Sequence, residues 1–98
     1  MDIYRDDNNN IVIKGSLTVT EIETTYSRLE GLLEQLANNI VVDLSGVEEI
    51  DTTGLQLLLS LKKTAEESGS FCMKNLSKPV KEALQLSALE HVLEENIA

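Results

Sequence analysis

Acidic and hydroxyl side chains are concentrated in residues 48–54 (EEIDTTG), directly before a leucine-rich run. Asp51 or Thr52 can accept hydrogen bonds from the free N–H groups of a helix's first turn, which is an ordinary structural role. The same place suits a phosphoryl group, because a helix N-terminus offers N–H donors and a partial positive charge. Phosphorylation would add about −1.5 to −2 charges to an acidic segment and would repel a partner docked there. The residues therefore leave two alternatives open, a helix cap and a phosphorylation switch.

Other catalytic chemistry has little support in the sequence. His91 is the single histidine and Cys72 the single cysteine, so no zinc site or CxxC pair can be assembled. A nucleophilic triad would need His91 as its base, with Thr52 or Ser45 as the nucleophile. Neither GxxxxGK[ST] nor GxGxxG is present, so no standard phosphate-binding loop can be named. We expect a protein that is not an enzyme and holds no cofactor or metal.

Composition narrows the classes of partner. The 98 residues suit a single domain spanning 1–98, and the net charge of −9 disfavours nucleic acid and anionic membranes. No apolar stretch approaches the roughly 20 residues that span a bilayer, and the N-terminus lacks a signal-peptide pattern. We therefore expect a cytoplasmic protein without direct membrane insertion, whose partner is another protein.

The first half of the chain predicts a hairpin and a helix. Short β-like segments at 3–5 and 11–14 flank the turn DDNNN, and a break is expected at Gly15–Ser16. A helix should follow, because apolar residues then recur at spacings of three and four. That predicted buried face consists of Val19, Ile22, Tyr26, Leu29, Leu33 and Leu36.

The second half alternates strands with helices. Residues 40–44 (IVVDL) predict a strand covered on both faces, followed by a polar loop at 45–51 and a helix from about Thr53 to Ser68. A strand at 70–74, with Cys72 in the core, precedes a helix opened by Ser77 and Pro79. The tail is ambiguous between a strand and a helical turn. The order predicts an α/β fold with a four- to five-stranded, mainly parallel or mixed sheet packed against three to four helices.

One long segment resembles a known family. Residues 40–69, IVVDLSGVEEIDTTGLQLLLSLKKTAEESG, are similar to the central signature of STAS domains, whose best-known members are bacterial anti-sigma factor antagonists. The signature is an apolar strand ending in Asp-Leu-Ser, an apolar-acidic loop, then Asp-[Ser/Thr]-[Ser/Thr]-Gly-Leu and a helix ending in Gly. The later stretch MKNLSKPVKEALQLSAL also resembles the family, so the similarity covers roughly residues 11–93.

The resemblance implies a switch in protein–protein binding in a bacterial cytosol. In the antagonists, the first hydroxyl after the Asp is phosphorylated by a GHKL-type partner that is both a kinase and an anti-sigma factor. Carried over, that residue is Thr52, with Thr53 as a second-choice acceptor, Asp51 positioning the hydroxyl and Gly54 allowing close packing. The implied partner-binding residues are Glu49, Asp51, Thr52, Thr53, Gly54, Leu55 and Ser16.

Two departures from the antagonist pattern keep an alternative open. Gly15–Thr18 reads GSLT where antagonists often carry Gly-Glu-Leu-Asp, and the chain stops at Ala98 without a final amphipathic helix. Both features resemble a shorter STAS branch of adaptors, found in phospholipid-transporting ABC systems and beside chemotaxis proteins. Such an adaptor would bind its ATPase or chemotaxis partner without phosphorylation. A missing last helix could also expose an apolar patch, which predicts some tendency to form a homodimer.

Overall fold

The first two strands form the antiparallel hairpin that the sequence predicts. A computed structural model describes residues 2–20, 22–33, 39–67, 69–87 and 90–97. In it, β1 (Asp2–Arg5) pairs with β2 (Ile11–Leu17). The Asp6 carboxylate accepts the N–H groups of Asn8 and Asn10 at 2.9 Å, and these bonds close the turn.

Two further strands complete a mixed sheet. β3 (Asn39–Ile50) and β4 (Ser70–Lys74) are parallel to β2, and the strand order is β1-β2-β3-β4. The helices are α1 (Ile22–Leu33), α2 (Thr52–Glu66), α3 (Lys78–Leu86) and α4 (Glu90–Leu93), followed by a 3-10 turn at Glu94–Asn96. The predicted α/β fold class, a mixed sheet packed on helices, is confirmed.

Two predicted strand boundaries were wrong. The break at Gly15–Ser16 is a shift of register inside β2, and the predicted loop at 45–51 is mostly the second half of β3. The polar composition of residues 45–51 favours a loop, but hydrogen bonding to the neighbouring strand outweighs this preference. β2 and β3 stay paired as far as Leu17 and Ile50. Gly15 has a φ of 99°, which accommodates the irregularity. Both strands consequently end beside Asp51.

The predicted buried face of α1 was partly wrong. Leu29 is buried as expected, but Val19 lies before the helix and is 63% exposed, and Tyr26 is 51% exposed. Thr25 is buried instead, because a helix that begins at Ile22 turns residues 25 and 29 toward the same side. Three positions of the predicted face lie outside the described side chains, namely Ile22, Leu33 and Leu36.

The described residues form a mainly aliphatic core between the sheet and the helices. The first half of α2 is buried as predicted, through Leu55, Leu57, Leu58 and Leu61. Cys72 was expected in the core but is half-buried, because it alternates with Phe71 and Met73, which face the core. The helix ends at Glu66, and the predicted end at Ser68 lies outside the described residues.

The tail combines both structures that the sequence left open. α4 and the 3-10 turn are helical, and Ile97 then forms a parallel bridge with Met73 at the edge of the sheet. Leu93 is fully buried in the core.

Candidate functional site

Asp51 determines where α2 begins. Its backbone is extended, and its Oδ1 accepts the N–H of Gly54 at 3.1 Å, as an N-cap residue does. Its Oδ2 accepts the N–H of Val19 at 3.0 Å, so the same carboxylate fixes the segment that follows β2. These bonds hold the pKa of Asp51 below its ordinary value, chiefly through Val19 and further through Gly54 and Thr53, against a smaller opposing effect of burial. The carboxylate is therefore fully engaged with backbone donors.

Gly54 lets the start of α2 lie against the end of β2. A Cβ at this position would overlap the carbonyl oxygen of Leu17 and would lie 2.8 Å from Cγ1 of Ile50. The same Leu17 carbonyl accepts the N–H of Asp51 at 3.3 Å. Only a residue without a side chain fits this contact between strand and helix.

Thr52 is the first residue of α2, and its side chain is exposed. Within the described part of the chain, no hydrogen bond to its hydroxyl is found. Thr53, one position further, is half-buried. The sequence left open whether Asp51 or Thr52 caps α2, and in the structure the cap is Asp51. The Thr52 hydroxyl is therefore not needed for the fold.

A groove of about 880 Å³ lies beside Thr52, between the start of α2 and one side of α3. α3 is well defined at its start, because Ser77 caps it and Pro79 occupies its first turn. The lining residues are Thr18, Glu49, Ile50, Asp51, Thr52, Leu55, Gln56, Pro79, Glu82, Ala83, Leu86 and Ser87.

The groove combines apolar walls with acidic side chains. The buried Leu55 lines it from α2, and Leu86 on the α3 wall is 90% exposed. Glu49, Asp51 and Glu82 supply three carboxyl groups to the lining, and no lysine or arginine is found among the described residues that line it. A surface of this kind suits a partner that presents apolar and basic groups.

The family to which the chain belongs was identified by comparing its sequence with models of known protein families. A model described as "Mlab, STAS domain" matches residues 4–95, nearly the whole chain. The chain belongs to the STAS domain family. STAS domains are regulatory modules that mediate protein–protein interactions. A search of the curated proteins gave no match.

The STAS fold brings four of the seven predicted site residues together. Glu49, Asp51, Thr52 and Leu55 line the same groove. Thr53 and Gly54 belong to the first turn of α2 but do not line the groove. Ser16 pairs with Glu49 in the sheet and also lies outside the lining.

Sequence reasoning missed the α3 side of the groove. Glu82, Ala83 and Leu86 supply that wall, together with Pro79 and Ser87. One signal was available, since Leu86 does not fit the inward face that Val80 and Leu84 define on α3. A leucine outside the buried face of a helix is a sequence signal of an exposed apolar site.

The described residues contain neither a cluster of metal ligands nor a membrane-spanning helix. In the ranges that the structure covers, no group of three His, Cys, Asp or Glu side chains is placed to hold a metal ion. Over the same ranges, no helix is both long enough and apolar enough to cross a bilayer.

Proposed function

We propose that this STAS chain is a non-enzymatic docking protein whose groove between α2 and α3 binds a partner protein, and that phosphorylation of Thr52 releases the partner. The partner proposed is a GHKL-type serine/threonine kinase that acts as an anti-sigma factor. The chain would then act as an anti-sigma factor antagonist in transcription control.

One observation carries this proposal, namely that Thr52 is exposed on the groove while Asp51 alone caps α2. A hydroxyl that the fold does not use can be modified without unfolding the helix. Thr53 is a poorer acceptor because it is half-buried and does not line the groove.

The surrounding charges would make a phosphate at Thr52 an effective block. It would add about −1.5 to −2 charges to a lining that already contains Glu49, Asp51 and Glu82. The nearby N–H groups of Gly54 and Val19 already donate to Asp51. The phosphate would therefore find few free donors in the chain itself, and a docked apolar surface would have to desolvate it.

The test uses wild-type, Thr52→Ala and Thr52→Glu proteins as immobilised baits in lysate of the source cells. Thr64→Glu is the matched control, because Thr64 is exposed on the same helix but lies away from the groove. A kinase retained by wild-type, Thr52→Ala and Thr64→Glu and lost from Thr52→Glu supports the switch. Equal retention by all four baits contradicts it.

A second function, that of a constitutive adaptor, is favoured by the exposure of Leu86. A leucine that is 90% exposed beside an apolar groove is typical of a surface that a lasting partner covers. The partner would be the ATPase of a phospholipid-transporting ABC system or a chemotaxis protein. Retention of such a protein by all four baits would favour this function over the switch.

A further inference from the structure

Lys62 is a buried charge on α2 that the docking site does not use. The residue is 7% exposed, and its Nζ lies 3.2 Å from Oε2 of Glu66, 2.6 Å from Oε1 of Glu95 and 2.7 Å from Oδ1 of Asn96. An ammonium group has three N–H donors, so these three acceptors satisfy it completely. The pKa of Lys62 is accordingly raised, first by the hydrogen bond to Glu95.

Two of these acceptors belong to the tail, which we define as residues 90–97. Asn96 extends the network, because its Nδ2 donates to the carbonyl of Phe71 at 2.8 Å and to Oε2 of Glu66 at 3.3 Å. One residue later, Ile97 forms its single bridge with Met73. Polar contacts of Lys62 and Asn96 therefore join the tail to α2 and β4, in addition to the apolar packing of the buried Leu93.

The tail also supports one wall of the groove. α4 packs against α3, and the buried Leu93 shares the core with Val80 and Leu84 of α3. Leu86 and Ser87 line the groove, and the tail begins three residues after Ser87. The C-terminal end of α3 thus lines the groove, and the tail that follows it in the chain packs against α3.

We propose that Lys62 is a positioning residue for the docking groove. It binds the tail, and the tail in turn fixes the position of the α3 wall. Ten residues separate Lys62 from Thr52 on one helix, or about 15 Å, so it acts through the tail and not by touching the partner. The inference rests on the proposed docking function. It adds that the shape of the groove depends on a contact at the opposite end of α2.

The experiment compares Lys62→Met with Lys63→Met, which removes the neighbouring exposed lysine. Amide hydrogen exchange follows the tail, and NMR chemical shifts of Thr52, Ala83 and Leu86 follow the groove, both in the free protein. We expect tail exchange to rise by about tenfold or more in Lys62→Met, since hydrogen bonds to a charged group are lost. We also expect the groove shifts to move in that variant, and neither signal to change in Lys63→Met.

Asn96→Ala is the second variant, because it loosens the tail without altering α2 and keeps the test valid should Lys62→Met fail to fold. The groove shifts distinguish positioning from simple stabilisation, which would lower the resistance to urea without moving them. Faster tail exchange with unchanged groove shifts would overturn the inference, as would unchanged tail exchange. Because both readouts use the free protein, either result leaves the docking proposal standing, and that proposal is tested separately by partner capture.

Discussion

The two ends of α2 use polar side chains in opposite ways. At the start, Asp51 is committed to backbone N–H groups, while Thr52 is left exposed beside an open groove. In the second half, Lys62 is buried, and every donor of its ammonium group is satisfied by Glu66 and the tail. The tail covers Lys62 in the second half of α2, whereas the start of the helix lies beside the open groove. The difference separates polar groups that maintain the fold from a hydroxyl that the fold does not use.

The largest effect on stability is expected from Gly54→Ala. A methyl group there would overlap the backbone carbonyl of Leu17, which cannot move without disturbing β2. We expect a loss of about 3 kcal/mol or more in the free energy of unfolding, measured with urea. Gly31→Ala is the control, because a Cβ there meets no neighbouring atom, and it should stabilise α1 by about 0.5–1 kcal/mol. Similar effects of both substitutions would contradict the close contact at Gly54.

The next effect should come from Asp51→Ala. It removes the cap of α2 and the bond to Val19, which should cost about 1–2 kcal/mol of unfolding free energy. Asp51→Asn should cost less, because an amide oxygen can still cap a helix. An Asp51→Ala protein as stable as the wild type would show that the carboxylate is not structural.

The same carboxylate should make stability depend on pH. The pKa of Asp51 is lowered in the folded chain, so its stabilising effect is present above the ordinary carboxyl pKa and is lost as pH falls through the lowered one. The stability gap between wild type and Asp51→Asn should therefore narrow below about pH 5. Urea unfolding of both proteins at several pH values measures the gap. Asp6 and Asp43 also have lowered pKa values, but both proteins retain these residues, so their effects on stability cancel in the difference. A constant gap would contradict this assignment.

The smallest effect is expected from Thr52→Ala. The side chain is exposed and the cap is supplied by Asp51, so stability should change by less than about 0.5 kcal/mol. Thr25→Ala is the contrasting variant, since Thr25 is 1% exposed and should cost about 1–3 kcal/mol. If Thr52→Ala is as destabilising as Asp51→Ala, Thr52 is part of the cap and not a free hydroxyl.

Features that depend on neighbouring residues in the sequence were predictable. The Asp6 turn, the start of α2 and the Ser77 cap all follow from side chains that bond the backbone two to four residues away. The order of strands and helices likewise follows from local composition and spacing. These features were enough to predict the fold class, whereas the proposed partner-binding residues at the start of α2 were implied by the resemblance to STAS domains.

Features that depend on distant segments were not predictable. The polar residues after Leu44 continue as a strand because β2 lies beside them, and no local signal reports that neighbour. Leu86 is exposed because α3 buries Val80 and Leu84 instead, which depends on how the helix packs. The contact between Lys62 and Glu95 joins residues 33 positions apart and shows no periodic pattern.

The central claim, that the groove between α2 and α3 is a docking surface, is tested most directly at Leu86. Leu86→Asp adds a charge to the α3 wall, while Gln85→Asp adds the same charge at an exposed neighbour that does not line the groove. The measurement is the affinity of each purified variant for the partner that the wild-type bait retains. We predict a loss of about 30-fold or more for Leu86→Asp, as for a central interface residue, and little change for Gln85→Asp. Wild-type affinity in a folded Leu86→Asp protein would contradict the claim.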